Sequence, residues 1–105
     1  MSSALTLTGG VPTPTPATFY LQHRGDSMEP EFPNRTLFCI ELHRRKPEAG
    51  AIFALRYGNE SDVFVARASI VAGDLSFTRD NPKYAPITAR DVEILGRAGA
   101  YFRPL

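Results

Sequence analysis

The chain is 105 residues long with 43% hydrophobic and 22% charged residues, the size and balance of one globular domain with a single core. Twelve basic and eleven acidic residues leave a net charge of +1, which gives no broad electrostatic footprint for nucleic acid, whose binding needs clustered Lys and Arg. The lone cysteine, Cys39, excludes an intramolecular disulfide and a cysteine-based zinc cluster, and no apolar run approaches the ~20 residues that span a bilayer; a cytoplasmic protein away from membranes is the expectation.

Residues 1–16, MSSALTLTGGVPTPTP, are small, polar and rich in Gly, Thr and Pro, which predicts a flexible linker or arm ahead of a folded domain at 17–105. Short β-like runs follow in order: TFYLQH (18–23), TLFCIEL (36–42), AIFALRY (51–57), DVFVARAS (62–69), LSFTR (75–79) and DVEILGRAGAYF (91–102). Each is bounded by Gly, Pro, Asn or Asp, which punctuate strands. The compact turns GNES (58–61) and VAGD (71–74) make residues 51–79 an antiparallel meander. The one helical candidate, a turn or two near MEPEF, is limited by Pro30 and Pro33. The expected fold is mainly β, with antiparallel strands coiled around a compact core.

Chemistry has few candidates. His23 and His43 are the only imidazoles and neither has a paired ligand spacing, so no metal and no cofactor is expected and both read as strand-end or surface residues. Cys39, inside TLFCIEL, reads as a small buried hydrophobe. The basic cluster HRRK (43–46) reads as a solvated loop sooner than a nucleic-acid patch. Ser27, in GDSMEP (25–30), reads on its own as a turn residue.

Other segments change that reading of Ser27. GDSMEP is followed by the hairpin-like KPEAGAIFALRYGNESDVFVARA (46–68), then RDNPKYAPI (79–87), then VEILGRAGAYF (92–102). Together, over residues 17–102, they resemble the self-cleaving LexA, UmuD and phage-repressor proteins, peptidase family S24. The resemblance implies a compact LexA-like C-terminal domain with Ser27 as nucleophile, and the backbone amides of Ser27 or Met28 as oxyanion donors. It also implies a lysine as general base, its pKa lowered by desolvation. Aligning the family's V-K-R-L with VARA (65–68) puts Ala66 at the lysine position. The general-base position is therefore vacated. Arg67 points to the opposite face of its strand and stays protonated, and Lys46 and Lys83 lie in Pro-flanked loops.

What the resemblance implies is the dimerisation and self-cleavage domain of a LexA-like or phage-type repressor, cleavage-inactive as written. Its partners would be a second copy, a RecA filament on single-stranded DNA in competent relatives, and operator DNA only through a separate N-terminal domain. The alternative is a UmuD-like accessory subunit of an error-prone polymerase. Upstream of Ser27 the chain offers only Thr8-Gly9 and Gly9-Gly10 in place of the family's Ala-Gly or Cys-Gly scissile bond. FPNRT (32–36) stands where relatives carry an acidic x-G-D turn.

Overall fold

The computed structural model describes residues 17–105; the arm expected at 1–16, with both candidate upstream bonds, lies outside the described residues. Seven strands form one antiparallel sheet: β1 (Thr18–Gln22), β2 (Leu37–Glu41), β3 (Ile52–Tyr57), β4 (Val63–Val71), β5 (Asp74–Thr78), β6 (Ile87–Thr88) and β7 (Val92–Phe102). Their order across the sheet is β1-β2-β7-β3-β4-β5-β6. The fold is mainly β, and β3, β4 and β5 form the expected meander. The two-residue β6 was not foreseen, because it is too short to show alternation. The helical candidate is a single turn in which the Phe32 N–H donates to the Met28 carbonyl at 2.9 Å.

The last strand holds the sheet together. β7 pairs with β3 over Val92–Arg97 and with β2 over Arg97–Phe102, and a register shift interrupts each pairing. The bulges leave Leu95 and Gly99 without opposite partners and bend the strand around the core. Between them, a Cβ at Gly96 would sit 2.5 Å from the Glu41 carbonyl oxygen, so the two backbones approach as closely as they do because residue 96 has no side chain.

Alternation along β3 and β4 sends side chains to two apolar clusters. Ile52, Ala54 and Val65 pack with Met28, Phe32, Phe38 and Ile40, whereas Phe53, Leu55, Ala66 and Ala68 pack with Phe77 and Ile87. Both faces of the central strands are thus covered, which is why AIFAL (51–55) is a continuous apolar run. Two expectations need correction. Cys39 is only partly buried, since its neighbours Phe38 and Ile40 take the inward positions of β2. His23 does end a strand, but it is 6% exposed, enclosed by the loop that follows it and set edge-on to Phe38.

Candidate active site

Ser27 lies in the loop joining β1 to β2, and that loop is closed at its neck. The His23 N–H donates to the Thr36 carbonyl and the Arg35 N–H to the His23 carbonyl, both at 2.8 Å. Gly25 takes a left-handed φ of 94° that suits glycine, and its N–H donates to Asn34 Oδ1 at 2.8 Å. Beyond Ser27, Met28 (0% exposed) and Phe32 (3%) plug the loop into the first apolar cluster. Burial of Met28 leaves Ser27 at the rim, partly exposed.

The segment RDNPKYAPI ties this loop to the far side of the sheet. The Asn81 N–H donates to the Ser27 carbonyl at 2.9 Å, and Asn81 Nδ2 to the Asp26 carbonyl at 3.0 Å. Tyr84 Oη donates to Asp26 Oδ1 at 2.5 Å, and Lys83 Nζ lies 2.8 Å from Asp26 Oδ2. These contacts hold the Asp26 carboxyl below its ordinary range, the Lys83 hydrogen bond first and that of Tyr84 second. Reciprocally, the bond to Asp26 raises the Lys83 ammonium and the Tyr84 phenol above theirs. A second tie runs beside it: Arg67 forms a bidentate pair with Asp80, at 2.9 and 2.8 Å, and also reaches Glu31 Oε1 at 3.2 Å.

Ser27 and Asp26 open onto a cleft of about 510 Å³. Leu21 and His23 line one side; Val63, Val65, Arg79 and Tyr84 line the other. The β4–β5 pairing begins at Arg67, so no described strand pairs with the β5-side edge of residues 62–65. That unpaired edge of β4 borders the Ser27 cleft, beside Arg79 and Tyr84. Inside the cleft, burial lowers the His23 imidazole below its ordinary value, against the opposing charges of Glu29 and Asp26. His23 is therefore neutral at pH 7, and its Nε2 is enclosed without a hydrogen-bond partner. The Arg79 guanidinium lies over the rings of Phe64, at 5.2 Å, and Tyr84, at 5.8 Å.

The proposed site residues occupy different surroundings. Ser27 lines the cleft, and the Met28 side chain anchors its turn. Ala66 is fully buried in the second apolar cluster with Phe53 and Phe77, and does not line the cleft although Phe64 and Val65 beside it do. Arg67 is on the other face of β4, within 6.0 Å of the Phe32 ring centroid. Asp26, Asn81, Lys83 and Tyr84 are the supports that sequence reasoning missed. The acid beside the serine and the Asn-x-Lys-Tyr spacing are visible in the chain, but their pairing across 55 to 58 residues is not. Among the described residues no group of three or more His, Cys, Asp or Glu is arranged to hold a metal ion, and no helix is long and apolar enough to cross a membrane.

No curated protein matches the chain. The Peptidase S24-like family model matches residues 2–98, a span that takes in the serine loop, the Asn81–Tyr84 tie and β4. The match spans nearly the whole chain, and the chain belongs to the Peptidase S24-like family.

Proposed function

We propose that this chain is the dimerisation domain of a LexA-like or phage-type repressor that keeps the peptidase scaffold without its self-cleaving chemistry. The observation that carries the reading is the state of the lysines. The sequence has two. Lys83, near the serine, is paired with Asp26, and its pKa is raised, the opposite of what a general base requires. Lys46 lines a separate concavity with His43 and Arg97. At position 66, where the family resemblance places the base, there is a buried methyl group. His23 Nε2 bonds to nothing, Ser27 included. Among the described residues, then, neither lysine is placed to take the proton of the serine hydroxyl.

The outer part of β7 supports the association half of this reading. The β3–β7 pairing ends at Arg97, so no described strand pairs with the β3-side edge of residues 98–102. Tyr101 and Phe102 stand exposed there, at 43% and 58%. Two copies joined along this edge would raise the effective concentration of two attached DNA-reading modules on a paired site.

The test is Ala66→Lys in a chain extended upstream to include an Ala-Gly bond. Slow self-cleavage that rises with pH and disappears on adding Ser27→Ala is the expected result. A folded Ala66→Lys protein that stays intact at alkaline pH and with an activated RecA filament would refute the assignment of position 66. A reading frame that starts near Met1 would instead favour the UmuD-like accessory role.

A further inference from the structure

The loop joining β2 to β3 forms a second concavity, of about 390 Å³, at the opposite end of β2 from the serine. It is lined by His43, Arg44, Arg45, Lys46, Glu48 and Arg97. In sequence HRRK is a short basic run in a nearly neutral chain. The fold adds Arg97 from β7, whose Nη1 lies 2.6 Å from Glu48 Oε1, so charge converges from two segments about 50 residues apart. Arg44, Arg45, Lys46 and Arg97, with Glu41 and Glu48, account for four of the twelve cations and two of the eleven carboxylates. The remaining residues then carry a net −1, so the chain's net positive charge comes from this site.

The cations are held in place with donors to spare. Arg44 Nη1 bonds to Glu41 Oε1 at 2.8 Å, and Arg45 Nε to the Leu42 carbonyl at 2.8 Å. Each guanidinium has five N–H donors in a fixed fork that matches a phosphate.

We propose that this concavity binds the phosphate backbone of nucleic acid, in a contact independent of base sequence. Phosphate fits the arginine forks, and several cations side by side match a polymer of phosphates better than one isolated carboxylate. A lipid surface fits less well. Among the described residues, the large apolar side chains that stand exposed, Tyr20, Ile70, Val71, Tyr101, Phe102 and Leu105, all lie outside the concavity, and a small basic patch without an inserted apolar group holds a membrane weakly. Glu48, 65% exposed, competes with the phosphate for Arg97.

The experiment is fluorescence anisotropy of labelled single- and double-stranded oligonucleotides titrated with the full chain across a salt series. Three or so phosphate contacts give a slope of log K against log salt of about −3 and a Kd of roughly 10–100 μM at low salt. Arg44→Ala and Lys46→Ala should each weaken binding on the order of tenfold at about 50 mM salt and make the slope shallower by about 1. The triple variant with Arg45→Ala should abolish binding. Glu48→Gln should tighten it, and Arg90→Ala, remote from the concavity, should leave it unchanged. Circular dichroism confirms folding, and Lys46→Glu alone serves if the triple variant does not fold. The proposal is overturned if the parent chain shows no salt-dependent binding, if folded variants bind as the parent does, or if anionic vesicles bind and oligonucleotides do not.

Discussion

The serine loop and strand position 66 make opposite use of the same scaffold. Around Ser27 the contacts are polar and long-range: Asp26 is held by Lys83 and Tyr84, and Asn81 binds the carbonyls of Asp26 and Ser27. Ala66 instead belongs to an apolar cluster with Phe53, Leu55, Ala68 and Phe77. An apolar pocket can lower a lysine's pKa as catalysis requires, and it also stabilises a core when a methyl group fills it. Position 66 is thus ordinary packing outside the Ser27 cleft, while the serine loop keeps its specific ties.

Putting charge into the apolar side should have the largest effect on stability. Ala66→Lys is expected to cost on the order of 3–5 kcal/mol at pH 7, because a buried ammonium is desolvated. The sign can be read from pH. The lysine's folded pKa would lie below its unfolded value, so the penalty is present at neutral pH and fades as pH rises towards about 10.4. Thermal melts of variant and parent should converge at alkaline pH, and a gap independent of pH would point to steric overpacking instead of charge. Loosening the other side comes next. Met28→Ala empties a fully buried position and should cost about 2–5 kcal/mol, with faster proteolytic nicking between residues 24 and 35 as its local signature.

A smaller change sharpens the loop. Arg35 has a φ of 79°, a left-handed conformation that disfavours side chains, and it stands in the segment where the family turn carries glycine. Arg35→Gly should raise stability by about 0.5–1 kcal/mol, after the added freedom of the unfolded chain is counted. Denaturant midpoints will show this, and an unchanged midpoint would mean that the loop absorbs the strain. The smallest effect concerns His23, whose folded pKa is depressed by burial. Its stabilising contribution is present above the ordinary value of 6.5 and is lost as pH falls through the depressed folded value. His23→Gln should flatten the stability profile just below pH 6.5, and the slope is the readout, not the absolute stability.

Much of the fold was legible because period and punctuation act locally. Six of the seven strands coincide with apolar runs bounded by Gly, Pro, Asn or Asp, and the β3–β4–β5 meander follows from its two short turns. The family was legible through ordered segments, not through the immediate neighbours of Ser27. The supports were not legible, because pairing Asp26 with Lys83 and Tyr84 depends on how far apart the sheet places them. Nor was the outward position of Cys39, because TLFCIEL is apolar on both phases of its alternation, and the choice of phase comes from Phe38 and Ile40 filling the core. The convergence of Arg97 on the HRRK loop is likewise a consequence of β7 crossing between β2 and β3.

The most direct test of the central claim is fluorophosphonate modification of Ser27, followed by mass spectrometry across a pH series for the chain as it stands and for Ala66→Lys. General-base assistance is worth roughly a hundred- to ten-thousandfold in rate. In the parent chain, modification of Ser27 should not exceed that of an ordinary surface serine. In Ala66→Lys, modification at Ser27 should rise with pH through the introduced lysine's depressed pKa. Rapid modification of Ser27 in the parent chain, at a rate that Ala66→Lys does not increase, would contradict the central claim and show that another group already activates the serine.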